Sequence, residues 1–102
     1  MAGRAFKNTV GSIIPLVVVS NNVANRAAAG VTVVPLTSSA ERVYPFEVLL
    51  AASATGLSKN SKAMAQQVRT VDKARLNARA AGAVQADDMR RLDSALRLHL
   101  GL

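Results

Sequence analysis

VTVVPLTSS, Val31 to Ser39, is an apolar, β-branched run that ends in three consecutive hydroxyls. Val31, Val33 and Val34 favour a strand, whereas Thr37, Ser38 and Ser39 need hydrogen-bond partners that an apolar core does not offer. The pattern predicts a strand that leaves the core and delivers Thr37 to the rim of a sheet. A threonine in that place has two uses. It can bond its own backbone and start a turn, or it can hold a phosphate oxygen and assist an attacking hydroxyl.

On the N-terminal side, IIPLVVVS (Ile13 to Ser20) reads as a strand that is apolar on both faces, with the donorless Pro15 at its start or on an edge. SNNVANR (Ser20 to Arg26) stops it with side chains that compete for the backbone, and Asn21 or Asn22 is placed to cap one short turn. Met1 to Ser12 has little periodicity and two glycines, and reads as an uncommitted arm with a short strand near Arg4 to Phe6.

On the C-terminal side, the short charged link Ala40 to Arg42 suits an antiparallel hairpin into YPFEVLL (Tyr44 to Leu50). There Tyr44, Phe46, Val48 and Leu50 share one face, Glu47 faces the other way, and Pro45 places the strand near an edge. Ala51 to Asn60 is small and polar, with Gly56 as its turn. SKAMAQQVRTVD (Ser61 to Asp72) alternates throughout and is expected to be one strand, followed by a helical turn capped by Asp72 and a last short strand over Arg79 to Val84.

Gln85 to Leu100 is the clearest helix. Met89, Leu92, Leu96 and Leu100 make one apolar stripe, with Asp87 and Asp88 in the first turn, Arg97 and His99 in the last, and Gly101 as the stop. Asp87 with Arg91, and Asp93 with Arg97, are spaced as i,i+4 ion pairs. His99 borders the stripe as a packing or capping residue.

The composition limits what such a chain can do. Its 102 residues allow one core and one domain, with 1–12 as the arm. Thirteen Lys and Arg against six acidic residues give a net charge of +7, which suits a polyanion, nucleic acid above all, or an acidic protein segment. There is no cysteine, so neither a disulfide framework nor a thiolate metal site can form. One histidine excludes two-histidine zinc sites and disfavours a Ser-His-Asp triad. No metal-ligand spacing and no phosphate-cradling glycine loop appear, so no cofactor is expected. The run Ile13 to Val19 is too short for a membrane span, and the cytoplasm is the default location.

PLVVVSNNVANR (Pro15 to Arg26), VTVVPLTS (Val31 to Ser38), VYPFEVLL (Val43 to Leu50) and SKAMAQQVRTVD (Ser61 to Asp72), with DDMRRLDSALRLHLGL behind them, resemble the MazF/PemK family of toxins from bacterial toxin–antitoxin pairs. The likeness runs from about Pro15 to Leu102. It implies a mainly β fold with a C-terminal helix, an SH3-like small barrel of antiparallel strands of the MazF/CcdB kind, assembled as a two-fold homodimer. It implies a metal-independent endoribonuclease that cuts single-stranded RNA, including mRNA, at short sequences, the RNA's own 2′-hydroxyl attacking the adjacent phosphorus. It further implies a MazE-like antitoxin whose acidic, extended C-terminal segment blocks the RNA groove.

The family's catalytic pair is an Arg just before the Pro that starts the second strand, and the Thr that ends the next long strand. The Thr is Thr37 here, and the Arg's position is taken by Ile14. Ile cannot stabilise charge on a phosphorane, which leaves Arg4 or Lys7 of the arm as substitutes. With Thr37 as the catalytic residue, Ser38, Gln66, Gln67, Arg26, Lys59, Lys62 and Arg69 are expected to line one groove as RNA-binding residues. An acidic position common in the family's fourth motif is Gln66, beside the retained Gln67.

Two other readings compete. A non-catalytic binding module for RNA or antitoxin follows from the missing Arg. A CcdB-type gyrase poison shares the barrel but wants an aromatic residue in its C-terminal tail, which Leu98 to Leu102 lacks. A dimer is also expected from Leu98, opposite the helical stripe, and from the strand at Ile13 to Ser20, both of whose faces need cover.

Overall fold

The computed structural model describes residues 9–11, 15–76 and 80–102. Its strands are β1 (Thr9–Gly11), β2 (Leu16–Val18), β3 (Gly30–Thr37), β4 (Glu47–Leu50), β5 (Ser61–Met64), β6 (Arg69–Asp72) and β7 (Ala80–Ala83). Its helices are α1 (Asn22–Ala27), α2 (Ala52–Thr55) and α3 (Ala86–Leu100), with 3₁₀ turns at Ala65–Gln67 and Lys73–Arg75.

The seven strands form one antiparallel sheet in the order β4-β5-β3-β2-β1-β7, with β6 also paired to β3. β3 is its axis. One edge carries β2, which sets Val17 opposite Val34 and Val18 opposite Val33. The other edge is shared: β6 pairs along Gly30 to Val33, and β5 takes Leu36 and Thr37. This is the expected mainly β fold with a C-terminal helix, compatible with a small barrel although the pairing path is open, with β4 and β7 as its ends.

The sheet wraps a core of Val10, Val17, Val34, Leu36, Val48 and Leu50, which α3 closes with Met89, Leu92 and Ala95. Val and Leu take the places that aromatic residues hold in richer cores. A second cluster of Leu16, Val18, Val31 and Val33, covered by Val71 and Leu76, lies on the opposite face of β2 and β3. Period-2 alternation explains the split, because odd and even residues of one strand point to opposite faces. Both faces of β2 are thus buried within one chain, and that strand no longer calls for a partner's cover.

Local signals explain the connections. Asn21 caps α1 by accepting the Ala24 N–H at 2.8 Å. The fully buried Asn25 donates to the Ser20 carbonyl at 2.8 Å and bonds the Ser20 hydroxyl, which accepts the Thr32 N–H at 3.0 Å. That network ties α1 to the start of β3. Gly56 ends α2 with φ +86°, and Gly101 ends α3 with φ +73°, both left-handed conformations that glycine adopts freely. Asp72 caps the second 3₁₀ turn through the Ala74 N–H at 3.0 Å, as its position suggested.

Several expectations need correction. Thr9–Gly11 of the assumed arm is a strand inside the sheet, between β2 and β7, with Val10 fully buried. The strand expected near Arg4 to Phe6 and the residues Lys7 and Ile14 lie outside the described residues. β3 and β4 form no hairpin, because β5 lies between them. Ser61 to Asp72 is two strands, broken at Ala65–Gln67 where the chain moves from β4 to the far half of β3. On α3 the acidic side chains pair at i,i+3, Asp87 with Arg90 and Asp88 with Arg91. Leu100 and His99 are exposed, and the buried face of the helix is Met89, Leu92 and Ala95, with Leu96 packed against it.

Candidate active site

β3 delivers Thr37 to the rim as its sequence predicted. The half-buried Thr37 hydroxyl accepts the Ser39 N–H at 3.2 Å, so the turn reading is realised, and the oxygen keeps a lone pair and its proton for another partner. Directly across the ladder stands Lys62, and across the next one Leu49 faces Lys62. Residues paired across antiparallel strands share a face, so Thr37, Lys62 and Leu49 form one row, with Met64 and Glu47 in the row beside it.

Glu47 organises this face. Its Oε1 accepts the Tyr44 N–H at 3.0 Å and the Lys62 ammonium at 2.9 Å, and its Oε2 accepts the Gln66 amide at 2.8 Å. The Lys62 ammonium also donates to the Arg42 carbonyl at 2.7 Å. The Glu47 side chain is 2% exposed and that of Lys62 is 12%. Burial pushes the Glu47 carboxyl up, but the Tyr44 N–H, the Gln66 amide and the Lys62 charge outweigh it and hold the pKa below the usual 4.5. Gln66 Oε1 is buried and meets no donor among the described residues.

The expected groove residues are spread over several places. Thr37, Lys62 and Gln66 gather around the Glu47 cluster. Ser38 and Lys59, with Leu36, Leu57 and Ser61, line a cavity of about 200 Å³ on the other side of the Thr37 rim. Gln67 lies exposed in the 3₁₀ turn beside Gln66. Arg69 pairs with Val33, halfway down β3. Arg26 lies in the last turn of α1, which leads into the Gly30 end of β3, whereas Thr37 is at that strand's other end. Within this single chain, Thr37, Lys62 and Gln66 come together, and the other five expected groove residues lie elsewhere.

Sequence reasoning missed Glu47, Arg42 and Tyr44. The available signal was the carboxylate itself, alone in the apolar run of β4, which alternation places on the face of Lys62. Among the described residues no group of three or more His, Asp and Glu side chains is placed to hold a metal ion. Among the described residues no helix is long and apolar enough to cross a membrane. The larger concavity, about 700 Å³, runs between β4 and α3, with the exposed Val43, Leu49 and Leu98 among its lining residues and Arg90 and Arg91 on the helix side.

A family profile, described as PemK-like, MazF-like toxin of type II toxin–antitoxin system, matches residues 4–100. Endoribonuclease MazF9 of Mycobacterium tuberculosis is 48% identical over 93 residues, covering 86% of this chain and 78% of the relative. Among solved structures, an endoribonuclease from mycobacterial species superposes with a TM-score of 0.77 at 30% identity, over 98% of this chain and 89% of that one. An endoribonuclease in complex with its cognate antitoxin, also from mycobacterial species, gives 0.72 at 30% identity, over 100% and 95%. The chain belongs to the PemK-like, MazF-like family of toxins of type II toxin–antitoxin systems.

Proposed function

We propose that this chain is the toxin of a type II toxin–antitoxin pair and that it acts as a metal-independent endoribonuclease on single-stranded RNA, mRNA included. The observation that carries the reading is Thr37, held at the end of β3 opposite Lys62 in a chain whose relatives are named endoribonucleases.

In the reaction the RNA 2′-oxygen attacks the adjacent phosphorus. The 2′-O–P bond forms, the P–O5′ bond breaks, the 2′-hydroxyl loses its proton and the 5′-oxygen gains one. The products are a 2′,3′-cyclic phosphate and a 5′-hydroxyl. Thr37 serves by orienting a phosphate oxygen, since a hydroxyl without a histidine beside it is a poor general base, and His99 sits exposed near the end of α3. With Ile14 where the family has Arg, transition-state charge goes without its positioned cation and cleavage is slow.

The working unit on this reading is a homodimer in the cytoplasm, held in check by a MazE-like antitoxin with an acidic C-terminal segment. The exposed Leu49 and Leu98 beside the β4–α3 concavity suit such an assembly. Incubation with a long single-stranded RNA and a chelator, followed by primer extension, tests the activity. New ends at one short recurring sequence are expected. RNA that is bound and left whole at every enzyme concentration would sink the nuclease and leave the binding module, the reading that Ile14 favours.

A further inference from the structure

The chain has three aromatic residues, and two of them are stacked at the surface. Tyr44 and Phe46 have ring centroids 5.4 Å apart and planes within 5°, and Tyr44 is 42% exposed. Arg42 Cζ lies 5.6 Å and Lys62 Nζ 5.8 Å from the Tyr44 centroid. The two cations differ in availability. The Lys62 ammonium is committed to Glu47 and the Arg42 carbonyl, whereas Arg42 is exposed and its guanidinium bonds only the Tyr44 hydroxyl, at 3.1 Å, among the described contacts.

The segment that carries this pair is held from both ends. Glu47 accepts the Tyr44 N–H and returns its own N–H to the Tyr44 carbonyl at 2.9 Å, while Lys62 grips the Arg42 carbonyl. Lys62 is the residue opposite Thr37, so the clamp sets Arg42 and Tyr44 at a fixed place relative to that hydroxyl. A rigid, exposed ring supported by a second ring and flanked by an exposed guanidinium with donors to spare is what an unpaired base and its phosphate require. The ring supplies a π-face that any base can use, and the guanidinium supplies planar donors for phosphate oxygens.

We propose that Arg42 and Tyr44 form a nucleotide subsite beside Thr37, the Tyr44 ring stacking on an unpaired base of the RNA and Arg42 holding the neighbouring phosphate, with Glu47 as the positioning residue beneath them. The inference rests on the RNA reading above and names where that RNA is gripped. An acidic peptide would satisfy Arg42 but has no use for a braced aromatic face.

The test is fluorescence anisotropy of a short single-stranded RNA on the full chain carrying Thr37→Ala, which keeps the RNA whole. Adding Tyr44→Ala is expected to weaken binding roughly 5- to 100-fold, with Tyr44→Phe recovering most of the loss. Arg42→Gln is expected to lower the salt dependence by about 0.7 log units per log unit of salt. One abasic position in the RNA should reproduce the Tyr44→Ala loss and cancel it when the two are combined. Unchanged affinity on Tyr44→Ala overturns the inference while the RNA reading stands. So does a loss that persists on every abasic RNA, or a loss seen only with an acidic peptide, which assigns the ring to a protein partner. A parent chain that binds no RNA overturns both readings together.

Discussion

Lys62 stands directly opposite Thr37 across the β3–β5 ladder, and its ammonium is spent on Glu47 at 2.9 Å. The cation nearest in register to the candidate catalytic hydroxyl is therefore neutralised by the protein itself. Charge for a phosphate has to come from a residue without such a partner.

Removing Glu47's charge leaves the largely buried Lys62 unpaired. Glu47→Gln is expected to lower the unfolding free energy by about 3 kcal/mol at pH 7, as breaking a buried pair from one side does. The pH dependence has a fixed sign. The Glu47 pKa is depressed in the fold, so its stabilisation is fully present above the ordinary value of 4.5 and is lost as pH falls through the lower folded value. Urea unfolding from pH 7 down to pH 3 checks this. The parent should lose stability below about pH 4.5, and Glu47→Gln should show a shallower acid loss.

Thr37→Ala should abolish RNA cleavage with little cost to the fold. The one side-chain bond Thr37 makes within the described residues is a turn contact at 3.2 Å. Its loss is worth about 1 kcal/mol or less. Activity that survives the substitution removes Thr37 from the mechanism, and a drop of several kcal/mol in urea unfolding makes it a structural residue instead.

Ile14→Arg is expected to raise the cleavage rate at least tenfold, because a positioned cation on a developing oxyanion is worth on the order of 10²–10³ in rate. Single-turnover kinetics on a fixed RNA measures it. A parent that already cuts fast, and does not respond to Ile14→Arg, shifts the cation's role to the arm, with Arg4 first to be substituted.

Gly82→Ala should be among the most damaging single-methyl additions. A Cβ at Gly82 would stand 1.7 Å from the Thr55 carbonyl oxygen, in the backbone of α2, which no rotamer change relieves. A loss of about 3 kcal/mol or more is expected for such overpacking. A thermal melt that matches the parent's would mean α2 can move off β7 freely.

What was legible in the sequence had redundant signals. α3 announced itself by the spacing of Met89 and Leu92, the acidic first turn and Gly101; β3 by its valines and the hydroxyls that end it. What was not legible depended on partners far along the chain. Val10 is one buried residue between Thr9 and Gly11, and only β2 and β7 on either side make its segment a strand. The break at Ala65–Gln67 is invisible in an unbroken alternation, because it lies where the chain passes from the Leu36–Thr37 end of β3 to its Gly30–Val33 half. The role of Glu47 follows from Lys62 and Gln66, which are 15 and 19 residues away. A single letter in a strand cannot state which distant cation it will neutralise.

The sharing of β3's second edge bears on how the toxin is made. Thr37 is made early, but its own partner strand on that edge is Ser61–Met64, and Arg69–Asp72 completes the edge further down β3. Translation has to pass Met64 before Thr37 has its partner strand, and pass Leu92 before the core beneath it is closed. A product of stalled synthesis that ends at residue 60 carries Thr37 and β2 beside β3, but lacks Lys62, Gln66 and the β5 backbone opposite Thr37. The site around Thr37 is therefore assembled from residues on both sides of residue 60, and a shorter product does not contain it.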